Sequence, residues 1–478
     1  MSDDTSLRAA AVAALADTFA AFASSASDMA AFESDCIDFG HDCIAAAMSR
    51  ALEALDDELM LTRASGLSVH DKRARMLATE VGDVSFLARR YRDEFGLDVC
   101  LLADRLDIPY GARISPGAAE FLSWAATLSS YARAADLLAR HGSRVSSSAV
   151  MSTMRKCGAA CSEEDAAAAA SLYVDGVVPD ARCAPEEVRM EADGTWFSVQ
   201  GAEAGAPGRF EVKAMCAYAG KEGRGGKTRR REVFHHACVG APASFWAEAV
   251  SRMGAAFDLA SLKRVHLGAD GEAWCASAPR FLPHAEVTMH LDPFHVNRAV
   301  LGCFPDPKMA WKVVRVLEEG EVDSAVALLR ASAASGAARE KAAARVAAYL
   351  ENNRDSIGKE GPSLGTMESD NQHIYGARMD AVPCAWSIRG GSDMARMLSR
   401  RASGASVARR TRAASMSKAR RAARERKILA ALDRGGAGRV LESVGRGYLP
   451  PHQVNTARLA NGSVYALHRG MANMDQGI

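Results

Sequence analysis

The spacing of apolar residues changes along the chain from a helical to a strand-like period. Over residues 7–60 apolar side chains recur every three or four positions, which predicts helices, as in Ile44, Met48, Leu52, Leu55 and Leu59. From residue 187 onward, short runs rich in β-branched and aromatic residues predict five strands, at 188–199, 210–218, 231–239, 263–267 and 285–291. Helices are predicted at 242–253 and, more briefly, at 272–280. This order predicts an α/β domain with a mixed five-stranded sheet and helices on both faces.

The same pattern divides the rest of the chain. Residues 1–65 predict an acidic helical N-terminal region. Residues 66–160 predict a DNA-binding region within a mainly helical N-terminal part, and 79–91 suggests a hairpin strand followed by a basic strand. An amphipathic helix, a Gly-containing turn and a polar second helix suggest a helix-turn-helix at about 130–157, although any pair of antiparallel helices gives a similar pattern. We interpret 161–186 as a linker. The predicted sheet domain comprises 187–300 and 362–400, divided by a helical insertion at 301–361, and 401–478 is a basic C-terminal tail.

Charge is unevenly distributed along the 478 residues. The net charge is +1, yet residues 1–66 contain twelve acidic and three basic residues, whereas 396–427 contain twelve basic residues and one acidic residue. This split predicts an acidic arm and a basic segment that contacts nucleic acid, and a solvated basic helix face is the alternative. A hydrophobic fraction of 48% indicates a folded soluble protein with cores in several domains.

Several classes of protein are disfavoured by the sequence. The eleven cysteines are scattered without a CxxC pair, which argues against zinc and suits a reducing cytoplasm. The acidic start does not suit a signal peptide, and the apolar run after it is interrupted by Asp17, so no membrane partner is expected. The segment from Gly220 to Thr228 approaches a phosphate-binding loop, but Lys221 occupies a position that needs glycine and an Arg-rich strand follows.

Three acidic residues fall at positions suited to a metal site. Asp193 lies in the first predicted strand of the sheet, Asp270 follows the fourth, and Glu368 begins a predicted helix. Phosphodiester chemistry needs an aligned nucleophile and neutralised charge, which two divalent ions about 4 Å apart provide. Mg²⁺ prefers oxygen ligands, so a few carboxylates on rigid elements suffice. An Asp-Gly pair alone is usually a turn, and the prediction therefore depends on all three residues and their order.

These segments resemble bacterial insertion-sequence transposases of the DDE type, most closely the ISLre-type family, which is distantly related to Mutator-like transposases. The resemblance covers about 65–400 and depends on five segments in order: Asp193–Trp196, Gly268–Trp274, Leu291–Arg298, Gly365–Asn371 and Trp386–Ala395. It implies an RNase H-like fold with the helical insertion between the second Asp and the Glu. It also implies DNA cleavage and strand transfer with two Mg²⁺ ions bound by Asp193, Asp270 and Glu368, for which Mn²⁺ can substitute.

The resemblance also suggests supporting residues. Asp292 and His295 match the Asp/Cys-x-x-His signature that follows the second catalytic Asp in Mutator-like relatives, and we place Arg298 with them. His295 could orient the metal site or contact a phosphate, and a structural Asp–His hydrogen bond is the alternative. Asp292 competes with Asp270 as the second metal ligand, and Asp370 competes more weakly with Glu368.

The expected function is that of an insertion-sequence transposase. Water activated by the metal ions attacks the phosphate at the transposon end, and the freed 3′-hydroxyl then attacks target DNA. The expected partners are double-stranded DNA, as terminal inverted repeats and target, and further copies of the chain on DNA, in a bacterial cytoplasm close to the nucleoid. Phosphate contacts are predicted for Lys221, Arg224, Lys227, Arg229, Arg230, Arg231, Arg409, Arg410 and Arg412. A catalytically inactive or domesticated DNA-binding protein, and an RNase H-like nuclease without strand transfer, are the alternatives.

Overall fold

The computed structural model describes residues 2–93, 96, 98–201, 207–223, 228–358, 361–381 and 384–405. The described residues divide into two units, the first ending at Cys157 and the second beginning at Gly158. None of the helices in these ranges combines the length and apolar character that crossing a membrane requires.

The first unit begins with two long helices and a small sheet. Helices α1 (Ser2–Ser25) and α2 (Met29–Leu61) precede an antiparallel sheet of β1 (Ser68–Thr79), β2 (Gly82–Arg92) and β3 (Asp98–Val99). Side chains of α2 satisfy backbone groups along β2, since Glu53 accepts from the Leu87 amide at 2.8 Å and Asp56 from the Arg89 amide at 3.1 Å. An acidic helix face thus covers part of a strand edge.

Four further helices follow in the first unit. They are α3 (Leu101–Arg105), α4 (Pro116–Leu128), α5 (Tyr131–Ala139) and α6 (Ser147–Tyr173), the last of which continues into the second unit. Pro116 occupies the first turn of α4 and the Ser115 side chain accepts from the Ala118 amide, a standard helix start. Helix α6 extends through much of the stretch that the sequence assigned to a linker, because its Ala-rich composition favours continuing the helix.

The second unit contains the predicted five-stranded sheet. Its strands are β4 (Glu187–Ser198), β5 (Arg209–Tyr218), β8 (Phe234–Cys238), β9 (Arg264–Ala269) and β10 (Glu286–Leu291), in the spatial order β10-β9-β4-β5-β8. Strands β4, β5 and β8 are antiparallel neighbours, and β9 and β10 run parallel to β4. The predicted mixed sheet is therefore confirmed. Between β5 and β8, β6 (Gly220–Glu222) and β7 (Arg229–Arg231) form a small hairpin.

Strand β4 faces two different environments on its two sides. Val188, Met190 and Ala192 belong to an apolar core with Trp246, on α7 (Pro242–Met253). The core also includes residues of the short helix α8 (Ala273–Ala276) and the 3₁₀ turn Ala278–Phe281. Residues of the other parity, Glu191 and Asp193, point to the opposite face because side chains alternate along a strand.

The predicted insertion is helical and has its own apolar core. Helix α9 (Pro293–Leu301) leads into α10 (Pro307–Glu318), α11 (Val322–Ala334) and α12 (Glu340–Asn352), and their buried faces form one cluster. A 3₁₀ turn, Arg354–Ser356, ends this part. The chain then returns to the sheet through α13 (Met367–Asp370), a π-helical segment (Asn371–Gly376), α14 (Ala377–Met379) and α15 (Ile388–Ala402).

Candidate metal centre

Three aspartates lie at the same level on three adjacent parallel strands. In the β4–β9 pairing Ala192 is opposite Ala269, and in the β10–β9 pairing Leu291 is also opposite Ala269. The next residue along each of the three strands is therefore an aspartate: Asp193, Asp270 and Asp292. The carboxyl ends of β9 and β10 deliver Asp270 and Asp292 to the edge of the sheet, and Asp193 remains inside β4.

The helix that follows the insertion brings Glu368 to Asp193. The ligand atoms of Asp193, His295 and Glu368 all lie within 4.8 Å of one another. On the next turn, the Asn371 side-chain amide donates to Asp193 Oδ2 at 2.7 Å. Residues far apart in sequence thus meet as two carboxylates and one imidazole, a donor set suited to a divalent cation.

The electrostatics of Asp193 reflect the negative charge gathered at this edge. Asp193 is 8% exposed. Burial, and then the nearby charge of Asp270, raises the pKa of Asp193 to about 7, and Glu368 adds to the rise. His295 and the Gly194 amide act in the opposite direction and favour the carboxylate. In the absence of a cation, this environment therefore opposes ionisation of Asp193.

Asp270 and Asp292 are each held by local hydrogen bonds at this edge. Asp270 Oδ1 accepts from the Glu272 amide at 2.9 Å, and its carbonyl oxygen accepts from the Tyr349 hydroxyl of α12 at 2.6 Å. Asp292 caps α9, where its Oδ1 accepts from the Phe294 amide at 2.8 Å. Both aspartates line the same small cavity as Asp193 and His295, but among the described residues the group whose ligand atoms lie within 4.8 Å of one another contains neither Asp270 nor Asp292.

Asp370, the alternative to Glu368, is engaged in a separate ion pair. Arg230 binds its two carboxylate oxygens at 2.5 and 2.7 Å, and His235 Nε2 lies 3.2 Å from Oδ2. Burial raises the pKa of Asp370, but the hydrogen bonds from His235 and Arg230 outweigh it and lower the pKa to about 2. This arrangement favours Glu368 as the ligand and assigns Arg230 a partner within the protein.

The remaining residues predicted to contact DNA lie in several settings. Lys221 Nζ donates to the Leu364 carbonyl at 3.3 Å, Arg231 pairs with Glu222 at 3.1 Å, and Arg229 is exposed on β7. At the start of the basic run, Arg396 and Arg400 are buried and both bind Asp165. These two arginines stabilise the fold and are not part of a nucleic-acid surface. Outside the described residues lie Arg224, Lys227, Arg409, Arg410 and Arg412.

Glu191 was not predicted from the sequence, yet it organises the segment that carries Glu368. It is 2% exposed, and its Oε2 accepts the amides of Gly365, Thr366 and Met367 at 2.8, 2.5 and 3.1 Å. Its Oε1 accepts the hydroxyls of Thr366 and Tyr218, both at 2.7 Å. The carboxylate thus binds the first amides of the Glu368 helix. The signal in the sequence is its spacing: two residues before Asp193 on a strand means the same face.

A second group of potential ligands lies in the core of the same unit. His236, Cys238 and Glu248 are buried and close together. Arg396 already binds Glu248 Oε2 at 2.7 Å, burial lowers the pKa of His236 to about 3, and burial raises the pKa of Cys238 to about 12. A protonated thiol beside a guanidinium is a poor cation site, so we interpret this group as a buried ion-pair network.

Together these observations define a mixed α/β protein with a cluster of potential metal ligands at the edge of its sheet. The chain belongs to the uncharacterised protein family UPF0236, whose model matches residues 28–418. This family is associated with transposase-like proteins. No curated protein matches the chain.

Proposed function

We propose that the protein is a DDE-type transposase of an insertion sequence, of the ISLre type, which cleaves double-stranded DNA at transposon ends and joins them to target DNA. The observation that carries the proposal is the convergence of Asp193 and Glu368 with His295, within 4.8 Å of one another, while Asp270 lies beside them at the same sheet edge. These are the catalytic and supporting residues that the resemblance implies.

The fold agrees with the resemblance at two further points. A sheet of three antiparallel strands extended by two parallel ones supports an RNase H-like domain, and the helical insertion lies between Asp270 and Glu368 as that family implies. Helices α5 and α6, joined by a turn around Gly142, are compatible with the proposed helix-turn-helix. The proposal therefore includes an RNase H-like domain and a helix-turn-helix. It also includes a bacterial cytoplasmic setting and assembly of several copies on DNA.

The donor set fits a divalent cation. Asp193, Glu368 and either Asp270 or Asp292 would supply carboxylate oxygens, which suit Mg²⁺ and Mn²⁺. The nitrogen of His295 is a poor ligand for Mg²⁺, and His295 would instead orient the site or contact a phosphate. Burial, and then the charge of Asp270, raises the pKa of Asp193, and a cation bound here would stabilise its carboxylate. Bound ions would neutralise charge on the phosphate and activate the attacking oxygen. Two ions, as the resemblance implies, remain part of the proposal.

The chain's own residues contribute position and rigidity to the proposed reaction. In the first step, water attacks phosphorus at the transposon end and the bond to the 3′-oxygen breaks, leaving a 3′-hydroxyl and a 5′-phosphate. In the second step, that hydroxyl attacks a target phosphodiester and releases a target 3′-hydroxyl. Asp193 is fixed within β4 and by Asn371, and Glu368 is fixed through the helix start at Glu191, so the ligands need little reorganisation.

The test uses the full chain with duplex DNA that contains the terminal sequences of its own element. We expect nicking at the ends and joining to target DNA with Mg²⁺ or Mn²⁺ and no reaction in EDTA. Asp193→Asn and Glu368→Gln should each abolish both steps and leave DNA binding largely intact. Specific binding without nicking by the wild-type chain would instead favour a DNA-binding regulator, and cleavage without joining would favour a nuclease.

A further inference from the structure

The face of α9 that carries His295 borders a second cavity, on the insertion side of the candidate metal centre. The cavity has a volume of about 330 Å³ and lies between α9 and α12. From α9 it is lined by His295, Arg298 and Gly302, which recur at helical spacing. Its wall on α12 includes Arg345. His295 therefore belongs both to this cavity and to the cluster with Asp193 and Glu368.

The cavity has two arginines whose charge the described residues do not neutralise. Arg298 and Arg345 are exposed, and within the described ranges neither has a carboxylate ion partner. Other insertion arginines differ, since Arg330 pairs with Glu351 at 2.9 Å and Arg354 pairs with Asp323 at 2.5 Å. Two unneutralised guanidinium groups beside one concave surface favour binding of an anion.

The other residues that line the cavity are small or apolar. They are Ala299 on α9, Gly302 just after its end, and Ala342 and Val346 on α12. A planar guanidinium fork matches the oxygens of a phosphate better than a point charge does. An exposed groove with arginines on both walls and little apolar surface suits a phosphodiester backbone better than an apolar ligand.

We propose that this groove, between Arg298 on α9 and Arg345 on α12, binds the phosphate backbone of the DNA strand that reaches the metal centre. The proposal rests on the proposed function for the identity of the ligand. It assigns the helical insertion a direct role in DNA binding, because α12 forms one wall of the groove. The other wall is formed by α9, which also contains His295. The strand would then be held next to the scissile phosphate.

The experiment measures DNA affinity as a function of salt concentration for the full chain and matched variants. Arg298→Ala and Arg345→Ala should each weaken binding of the terminal-sequence duplex by about 5- to 10-fold at low salt. Each should also lower the slope of log affinity against log salt by about one, since one phosphate contact is lost. Arg330→Ala is the control, because it removes an ion-paired arginine of the same insertion, and it should leave both quantities unchanged. Circular dichroism checks that all variants are folded.

Each outcome bears on the groove. An unchanged affinity and salt slope in the Arg298→Ala/Arg345→Ala double variant, or an equal loss in Arg330→Ala, would overturn the proposal. A site for free phosphate would show instead as a rise in melting temperature with inorganic phosphate that the double variant lacks, with DNA affinity unaffected, and this too would overturn it. If the arginine variants weaken DNA binding but the wild-type chain never nicks DNA, the groove is supported and the transposase assignment is refuted. If the chain joins DNA in a metal-dependent reaction but Arg298→Ala and Arg345→Ala leave the salt slope unchanged, the transposase assignment is supported and the groove is refuted.

Discussion

Replacing Glu191 with Gln tests whether the start of the Glu368 helix is held in place by this one carboxylate. Gln keeps the size of the side chain but removes the charge that three backbone amides and two hydroxyls share. A hydrogen bond to a charged group contributes about 1.5–3 kcal/mol and a neutral one about 0.5–1.5 kcal/mol. Weakening the three amide contacts by about 1 kcal/mol each should therefore cost roughly 3 kcal/mol.

That cost should appear in metal binding as well as in stability. A loss of about 1.4–2.8 kcal/mol in holding Glu368 corresponds to a 10- to 100-fold weaker Mn²⁺ affinity, the range typical of residues that orient metal ligands. Mn²⁺ binding can be measured by electron paramagnetic resonance, and hydrogen exchange reports the amides of Gly365, Thr366 and Met367. We expect faster exchange at these amides. In a Glu368→Gln background, Glu191→Gln should cause little further loss of Mn²⁺ affinity, because its effect passes through Glu368.

The matched control is Glu248→Gln, which removes another buried carboxylate of the same unit, bound by Arg396 at 2.7 Å. It should lower the melting temperature and leave Mn²⁺ affinity and exchange at Gly365–Met367 unchanged. The reasoning about Glu191 is refuted if Glu191→Gln lowers stability but binds Mn²⁺ like the wild-type chain. Unchanged amide exchange would refute it even in a protein that binds no metal.

Three further predictions concern the charges around the site. The pKa of Asp193 is about 7 in the folded chain and 3.8 in its ordinary state, so the stability that this residue contributes is complete below pH 4 and is lost as pH rises through 7. In urea unfolding series in EDTA, about 3 kcal/mol of that stability should be lost between pH 5 and pH 8, and Asp193→Asn should remove this dependence. Asp270→Asn and Asp292→Asn should differ in Mn²⁺ titrations, and the variant with the larger loss of affinity identifies the second ligand; equal wild-type affinity in both would exclude either aspartate. Arg230→Leu leaves the buried Asp370 carboxylate without its main partner and should destabilise the fold by roughly 3–5 kcal/mol in thermal unfolding, whereas an arginine that contacts DNA alone would leave stability unchanged.

The sheet was predictable because each strand has a local pattern. The five runs of β-branched and aromatic residues lie where β4, β5, β8, β9 and β10 form, and Asp193 and Asp270 could be placed from their positions in or after those strands. Helix ends were less predictable: α6 continues to Tyr173, since nothing in its Ala-rich sequence stops a helix before that point. In the first unit, the sequence suggested a hairpin within 79–91, but the turn follows Thr79 and both strands are longer than expected.

Contacts between distant segments were not predictable from the sequence. Glu191 meets the amides of Gly365–Met367, and Arg230 meets Asp370, across 140 or more residues. Neither contact produces a repeating pattern in the sequence, because a single carboxylate or guanidinium group is enough to make it. As a result, the basic hairpin β6–β7 suggested a DNA surface, although its central arginine stabilises the helix beside the site.

The two faces of β4 explain why the candidate site lies where it does. Val188, Met190 and Ala192 pack in the apolar core with α7, which fixes the strand. Glu191 and Asp193 lie on the opposite face of the same strand, so their positions are fixed as well. Glu191 binds the helix start at Thr366, and the Asp193 carboxylate accepts a hydrogen bond from the Asn371 side chain at 2.7 Å. A slip of one residue in the register of β4 would exchange the two sets of side chains and place both carboxylates in the apolar core. The burial that specifies the strand therefore also specifies the position of the candidate metal centre, and a site on a loop would lack this constraint.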